Sequence, residues 1–388
     1  MTTAPVLPKQ RTAFPDVIRG LAISGVLYAY VFWNLGNAPA SRYTAFDSFL
    51  DAAGSFLLDS KCYTMLAALF AVGFVFHMQK SKDQTAGLFT YRKRLLGLLL
   101  LGLVHAFLLR DGDILVDYAL MGLLLTLFYT AKTRTIIYTI TGLFFLPDVI
   151  RSIAQSLQVT LPQRPDTSGM SFLAHNVAYV QYWYSMAPFY WEETLILMLI
   201  GLLAGRMLIV QKKNLSNGQL LPWMVAGFVC GTLSYFVIRF YGDTIQRLPQ
   251  LGYYPVGSTV SRLLWSLHKL GMASGYVMAL YMLAQRFQFP LLKNMGRMSL
   301  TNYLLQALLL VPICLLFNLF DTFTPTGALL LSTAMWIAQA VYCTWWLRQH
   351  RFGPFEWLLR RFTYGTLVRT KEEPAALQPE LLTNEAAL

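Results

Sequence analysis

Between Leu98 and Gly122 the sequence LLLLGLVHAFLLRDGDILVDYALMG sets one histidine, His105, in an apolar run. Within the next dozen residues come Arg110, Asp111, Asp113 and Asp117. An imidazole titrates near neutrality, and a carboxylate beside it fixes its orientation. That pairing is what proton abstraction from a hydroxyl or amine requires. His105 lies about 11 residues beyond Arg94, roughly 16 Å along a helix at 1.5 Å per residue. A tight turn over Asp111 and Asp113 makes the flanking helices antiparallel neighbours. His105 is then a candidate general base, with Asp113 or Asp117 as the acid that orients it. Each has a plain structural alternative: Asp113 suits the N-cap of the following helix, and His105 can hydrogen-bond across a helix pair.

A second group lies in RLLWSLHKLGMASGY, from Arg262 to Tyr276. Arg262, Ser266 and Lys269 recur at helical spacing and form one polar stripe, while His268 points elsewhere with Trp265 and Met272. Lys269 needs a counter-charge, for which Glu192 or Glu193 is placed. Lys269 or Arg110 would steady a developing oxyanion or hold an anionic acceptor. Arg262, His268 and Glu192 complete the substrate-side candidates; the structural alternative is an interhelical ion pair. Toward the opposite membrane face, Asp16 and Arg19 are close enough to pair along one helix. Arg92, Lys93, Arg94 and Arg297 are basic, and Ser299, Asn302 and Gln306 share a helix face. With Arg19, Arg92, Lys93, Arg94, Arg297 and Asn302 as contacts, that side suits a phosphorylated donor such as coenzyme A. Topology alone accounts for basic residues there too.

These residues are embedded in a chain of 388 residues, 56% hydrophobic and only 13% charged. About a quarter charged is usual for a soluble chain. Apolar runs near 20 residues recur throughout, each long enough to cross about 30 Å of hydrocarbon as a helix. The fold class is all-α, a polytopic transmembrane bundle of about ten spans. The runs fall at roughly 16–35, 61–80, 93–110, 113–131, 135–153, 190–210, 220–240, 262–285, 298–318 and 327–347. Residues 1–15 form a cytoplasmic N-terminal segment, 16–348 the membrane domain, 349–368 an interfacial amphipathic helix and 369–388 a disordered cytoplasmic tail. Asp16 and Arg19 in the first run argue for a retained span rather than a cleaved signal.

The net charge of +12 accumulates in short loops on one side, among them Lys80, Lys82, Lys132, Arg134, Arg206, Arg286 and Lys293. With that side cytoplasmic, both termini are cytoplasmic. No polar segment is large enough for a nucleic-acid-binding domain, so the expected partner is the bilayer. Cys62, Cys230, Cys314 and Cys343 lack metal-ligand spacing and read as reduced core residues. No Walker loop, HExxH motif, GxSxG elbow or metal cluster occurs.

Four stretches in order, DVIRGLAISGVL from Asp16, HAFLLRDGDILVDYALMGLL from His105, GRMSLTNYLLQ from Gly296 and FGPFEWLLRRFTYG from Phe352, resemble the YeiB-like family of bacterial inner-membrane proteins of unknown function. That family is similar in turn to the transmembrane acyltransferases, of the acyltransferase type-three and glucosaminide acetyltransferase kinds. The resemblance implies a ten-span fold, inner-membrane localisation, and acyl transfer from cytoplasmic acyl-CoA to an acceptor on the far side. In those enzymes a histidine in or just after the first span is central. Here that region offers Tyr28, Tyr30, Trp33 and Asn34, so His105 has to take the role.

The expected function is a membrane acyltransferase that moves an acyl group, acetyl above all, from acyl-CoA to a hydroxyl or amine on a small-molecule, sugar or lipid acceptor. A homodimer is left open, and no metal is called for. A proton-coupled transporter or flippase is the first rival, and a non-catalytic scaffold or sensor the second.

Overall fold

The computed structural model describes residues 14–36, 38–109, 113–167, 169–211, 217–320 and 322–365. The expected N-terminal segment and tail lie almost wholly outside them. The described chain is helical, with one isolated β-bridge between Leu251 and Tyr254. In order the helices are α1 (Phe14–Leu35), α2 (Ala45–Leu57), α3 (Lys61–Lys80), α4 (Gln84–Leu108), α5 (Ile114–Leu125), α6 (Thr133–Ser156) and α7 (Phe172–Ser185). They continue with α8 (Trp191–Gln211), α9 (Asn217–Gln246), α10 (Val256–Ala284), α11 (Pro290–Arg297), α12 (Ser299–Phe317), α13 (Pro325–Gln349) and α14 (Pro354–Tyr364).

Among the described residues, six stretches are long and apolar enough to cross a membrane: α1, the α2–α3 pair, α6, α9, α12 and α13. That is fewer than the ten runs read from the sequence. The others are shorter or more polar. α5 has only 12 residues, α4 carries Arg92, Lys93 and Arg94, α8 opens on Glu192 and Glu193, and α10 holds Arg262 and Lys269. An isolated charge in hydrocarbon is costly, so polar groups within such helices are best buried against their neighbours. His105 of α4, Thr194 of α8, and His268 and Lys269 of α10 are buried in this way, whereas Arg92 and Lys93 are exposed. By contrast α6 and α9 turn Ile137, Phe145, Val229, Leu233 and Phe240 outward. Cys62, Cys314 and Cys343 are buried as expected, whereas Cys230 is exposed, and all four are free.

Local chemistry sets the helix ends. Thr44 and Asp47 form a reciprocal capping box on α2, with Asp47 N donating to Thr44 Oγ1 at 3.1 Å and Thr44 N to Asp47 Oδ2 at 2.9 Å. The second oxygen of Asp47 accepts from the backbone N and the hydroxyl of Thr326, at 2.9 and 2.6 Å. This cap therefore also ties α2 to the start of α13. Where α1 crosses α11, a Cβ at Gly20 would collide with the Leu292 carbonyl and one at Gly296 with the Asp16 carbonyl. Only glycine permits that approach, which gives the Arg19-Gly20 and Gly296-Arg297 pairs of the sequence motifs a packing role. Gly271 of α10, four residues before Gly275 in the small-residue spacing that lets helices approach closely, meets the Gly227 carbonyl of α9 in the same way.

Candidate functional site

His105, on the last turn of α4, is 2% exposed, and its Nδ1 stands 3.4 Å from Asp113 Oδ1. The same carboxylate oxygen accepts a hydrogen bond from the Tyr303 hydroxyl of α12 at 2.6 Å, and that hydroxyl accepts from Ile114 N at 3.3 Å. The His105 and Tyr303 rings lie 5.1 Å apart. Asp113 precedes α5 but makes no side-chain cap; its carboxylate turns to the histidine and tyrosine instead. Gly102 allows this, since a Cβ there would sit 2.6 Å from Asp113 Oδ2. Both ring nitrogens of His105, and Asp113 Oδ2, are buried without a hydrogen-bond partner among the described residues. Buried polar atoms are satisfied in the great majority of cases, so three orphans in one cluster single it out.

Asp117 is not the histidine's partner. One turn further along α5, it accepts from Trp191 Nε1 of α8 at 2.9 Å. Beside it, the Tyr118 hydroxyl donates to the Tyr63 carbonyl at 3.3 Å, and the Tyr63 hydroxyl meets Thr194 Oγ1. Arg110 and Asp111 lie outside the described residues.

The substrate-side residues form a separate, closely paired network. Arg262 Nη2 donates to Asp148 Oδ2 and to the Phe144 carbonyl, both at 2.6 Å, and its Nη1 lies 3.8 Å from Glu192 Oε1. Asp148 is fully buried and also accepts from Arg151 at 3.1 Å, Thr259 at 2.6 Å and Ser258 at 3.3 Å. Lys269 pairs with Glu193, so the expected counter-charge is the second of the two glutamates. His268 is fully buried, its Nδ1 2.9 Å from the Gly231 carbonyl, among the rings of Phe56, Tyr235 and Trp265.

Residues 204–366 match the family model DUF418, a protein of unknown function. The chain is 27% identical to the uncharacterized protein YxaH of Bacillus subtilis, over 93% of this chain and 96% of that protein. It is 26% identical to the uncharacterized protein YeiB of Escherichia coli, over 91% and 96% respectively. An uncharacterized 39.9 kDa protein of Bacillus acidopullulyticus is 25% identical over 93% and 96%. Residues 204–366 are thus similar to DUF418, and nearly the whole chain is similar to these bacterial proteins. No solved structure matches it. With its long apolar helices, the similarity to these bacterial proteins is consistent with a multi-pass membrane protein.

The DUF418 region supplies Arg262, Lys269, Arg297, Asn302 and Tyr303, while His105 and Asp113 lie before it. Asn302 is fully buried, its Nδ2 donating to the Met295 carbonyl at 3.1 Å and lying 3.3 Å from Cys343 Sγ. Gln306, one turn on, lies 3.5 Å from the Ile23 carbonyl of α1. Arg297 donates to the Arg351 carbonyl at 3.1 Å. Arg19 is held by Asp16 at 3.0 Å. Arg92 and Lys93 are exposed, Lys93 over the Phe89 ring, and Arg94 is partly buried. Among the described residues, no group of three or more His, Cys, Asp or Glu is placed to hold a metal.

The C-terminal helix α14 packs onto the bundle. Glu356 Oε1 accepts from the backbone N of Leu300 at 2.7 Å and of Thr301 at 3.0 Å, capping α12 from another helix. Burial pushes the Glu356 carboxyl above its ordinary range, against these hydrogen bonds. Across α14, Leu359 and Phe362 close over Gly97 of α4. Tyr303, Trp191, Asp148 and Glu356 are the residues that the sequence alone did not single out. Tyr303 follows Asn302 directly and thus sits on the next helix face, so a polar-face reading of Ser299, Asn302 and Gln306 passes over it.

Proposed function

We propose that this protein is a membrane-embedded acyltransferase in which His105 is the general base. The observation that carries this is the His105–Asp113–Tyr303 cluster: a buried imidazole with both nitrogens unsatisfied, beside a carboxylate fixed by a tyrosine. Asp113 faces the ring at Nδ1, 3.4 Å away, which leaves Nε2 to take the proton of an acceptor hydroxyl or amine as its oxygen or nitrogen attacks the thioester carbonyl. The thiolate of coenzyme A then leaves with that proton. A positioned base of this kind is worth about 10²–10⁴-fold in rate. The donor phosphates dock at Arg92, Lys93 and Arg94, with Arg297 and Asn302 behind them. Arg262, Lys269 and Glu192 form ion pairs that brace the acceptor side, and Asp117 locks α8 to α5.

In this arrangement α4, α5, α8 and α10 cross with the six more apolar stretches, ten crossings in all, with both termini cytoplasmic in a bacterial inner membrane. The acceptor, a small molecule, sugar or lipid, reaches His105 from the far face. The test is calorimetric titration of acetyl-CoA into the purified, monodisperse protein, followed by transfer of labelled acetyl into a membrane extract. Saturable binding weakened by Arg92→Gln together with Lys93→Gln supports the reading. A folded protein that neither binds nor consumes acetyl-CoA refutes it.

A second reading, proton-coupled transport, is favoured by one observation. Asp117 accepts from Trp191, and the next residue, Glu192, lies 3.8 Å from Arg262, which pairs with Asp148; intramembrane ionisable chains of this kind mark proton paths. Proton-driven uptake into liposomes without coenzyme A would select it.

A further inference from the structure

A cavity of about 420 Å³ opens between α2, α9 and α10, away from the His105 cluster. Its walls include Tyr43, Asp51, Ser55, Tyr235, Arg239 and Trp265. That volume falls within the roughly 300–1,000 Å³ usual for small-molecule sites. It joins one carboxylate, one guanidinium and three aromatic rings. Among the described residues neither Asp51 nor Arg239 has an ion-pair partner, whereas Arg262 and Lys269 of α10 are paired with Glu192 and Glu193.

The walls are firmly held. The Tyr43 hydroxyl donates to the Gly36 carbonyl at 2.9 Å, and the Tyr235 and Trp265 rings meet edge-on at 6.3 Å. Behind Ser55, the buried Lys61 ammonium donates to the Ser55 carbonyl at 2.7 Å and adds positive charge to that wall. On the same two helices, Phe46 and Phe49 of α2 and Phe236 and Phe240 of α9 are exposed, at 54%, 64%, 46% and 73%. Aromatic rings turned outward at a helix end are what a headgroup region favours. A break between Leu57 and Lys61 separates α2 from α3, and α2 is long enough to lie along the edge of the hydrocarbon.

We propose that this cavity binds a phosphate ester joined by a short linker to an ammonium group, the headgroup chemistry of phosphatidylethanolamine. The phosphate pairs with the Arg239 guanidinium, whose planar fork matches two phosphate oxygens. The ammonium lies at Asp51, over the face of Trp265 or Tyr235. The exposed aromatics of α2 and α9 favour a membrane lipid over the free phosphate ester as the source. This site is independent of the acyl-transfer reading, since its recognition groups are not shared with the His105 cluster.

The test uses the full-length protein in nanodiscs and native mass spectrometry. Phosphatidylethanolamine and phosphatidylglycerol of matched acyl chains are compared, with free O-phosphoethanolamine as competitor. Phosphatidylethanolamine is expected to bind about tenfold more tightly than phosphatidylglycerol, and Asp51→Asn and Arg239→Gln each to remove about tenfold of that affinity. Binding of free O-phosphoethanolamine without lipid binding would keep the chemistry and move its source to solution. Equal binding of the two lipids with no uptake of the free ester overturns the proposal. So does wild-type affinity in both charge variants. Both side chains are exposed, so the variants should fold, and the lipid comparison on the unaltered protein stands without them.

Discussion

Two polar clusters share this bundle and treat their charges in opposite ways. Around Asp148, every carboxylate oxygen is taken: Arg262, Arg151, Thr259 and Ser258 converge on it. Around His105, two ring nitrogens and one carboxylate oxygen are without hydrogen-bond partners among the described residues. A saturated buried carboxylate fixes helices in register, because removing it strands its donors, even though Arg262 Nε and Glu192 Oε2 beyond Asp148 are themselves unpartnered among the described residues. An unsaturated cluster keeps donors and acceptors ready for something that arrives. On the proposed reading the Asp148 carboxylate serves architecture and the His105 cluster serves chemistry, although each is built around an aspartate.

The sharpest way to break this contrast is at Asp148. Asp148→Ala leaves two guanidinium groups facing an apolar void and should cost about 3–5 kcal/mol, the usual penalty for removing one partner of a buried pair. Thermal unfolding in detergent, or loss of the monodisperse peak, reads it. The counterpart is His105→Gln, which removes an imidazole that makes no hydrogen bond. Its unfolding midpoint should stay near that of the unaltered protein while acyl transfer falls about 10²–10⁴-fold. If the two variants exchanged these phenotypes, the assignment would be inverted.

Tyr303→Phe sharpens the comparison from within. It deletes one hydrogen bond to a carboxylate, worth about 1.5–3 kcal/mol, and frees Asp113 to turn from the histidine. Activity should drop with acetyl-CoA affinity unchanged. Smaller still is Glu356→Ala, which uncaps α12 from α14 and should cost about 0.5–2 kcal/mol of stability. Limited proteolysis after residue 349 would show the loosened helix. An equal loss of donor binding would instead make α14 part of the donor site.

Much of this arrangement could be read from the chain itself. The helix runs, the antiparallel pairing of α4 and α5, the Lys269 counter-charge and the small-residue contact at Gly271 all follow from periodicity and spacing. Helices that carry charged residues were harder to count, because α4, α8 and α10 each hold charged side chains within or at the edge of their apolar run. The partners were harder still. Tyr303 lies 190 positions from Asp113, and Thr259 lies 111 from Asp148. No local pattern encodes such pairings; they arise from which helices pack together. Asp148 also follows Pro147 near the end of an apolar run, where an acid reads as a solvated terminus rather than as the hub of four donors.

The decisive measurement is consumption of the acetyl-CoA thioester by the reconstituted protein, with His105→Gln and Asp148→Asn beside it at equal folded concentration. The account predicts turnover by the unaltered protein, a loss of about 100-fold or more in His105→Gln with its fold intact, and a deficit in Asp148→Asn that tracks its folded fraction. Undiminished turnover in His105→Gln would contradict it.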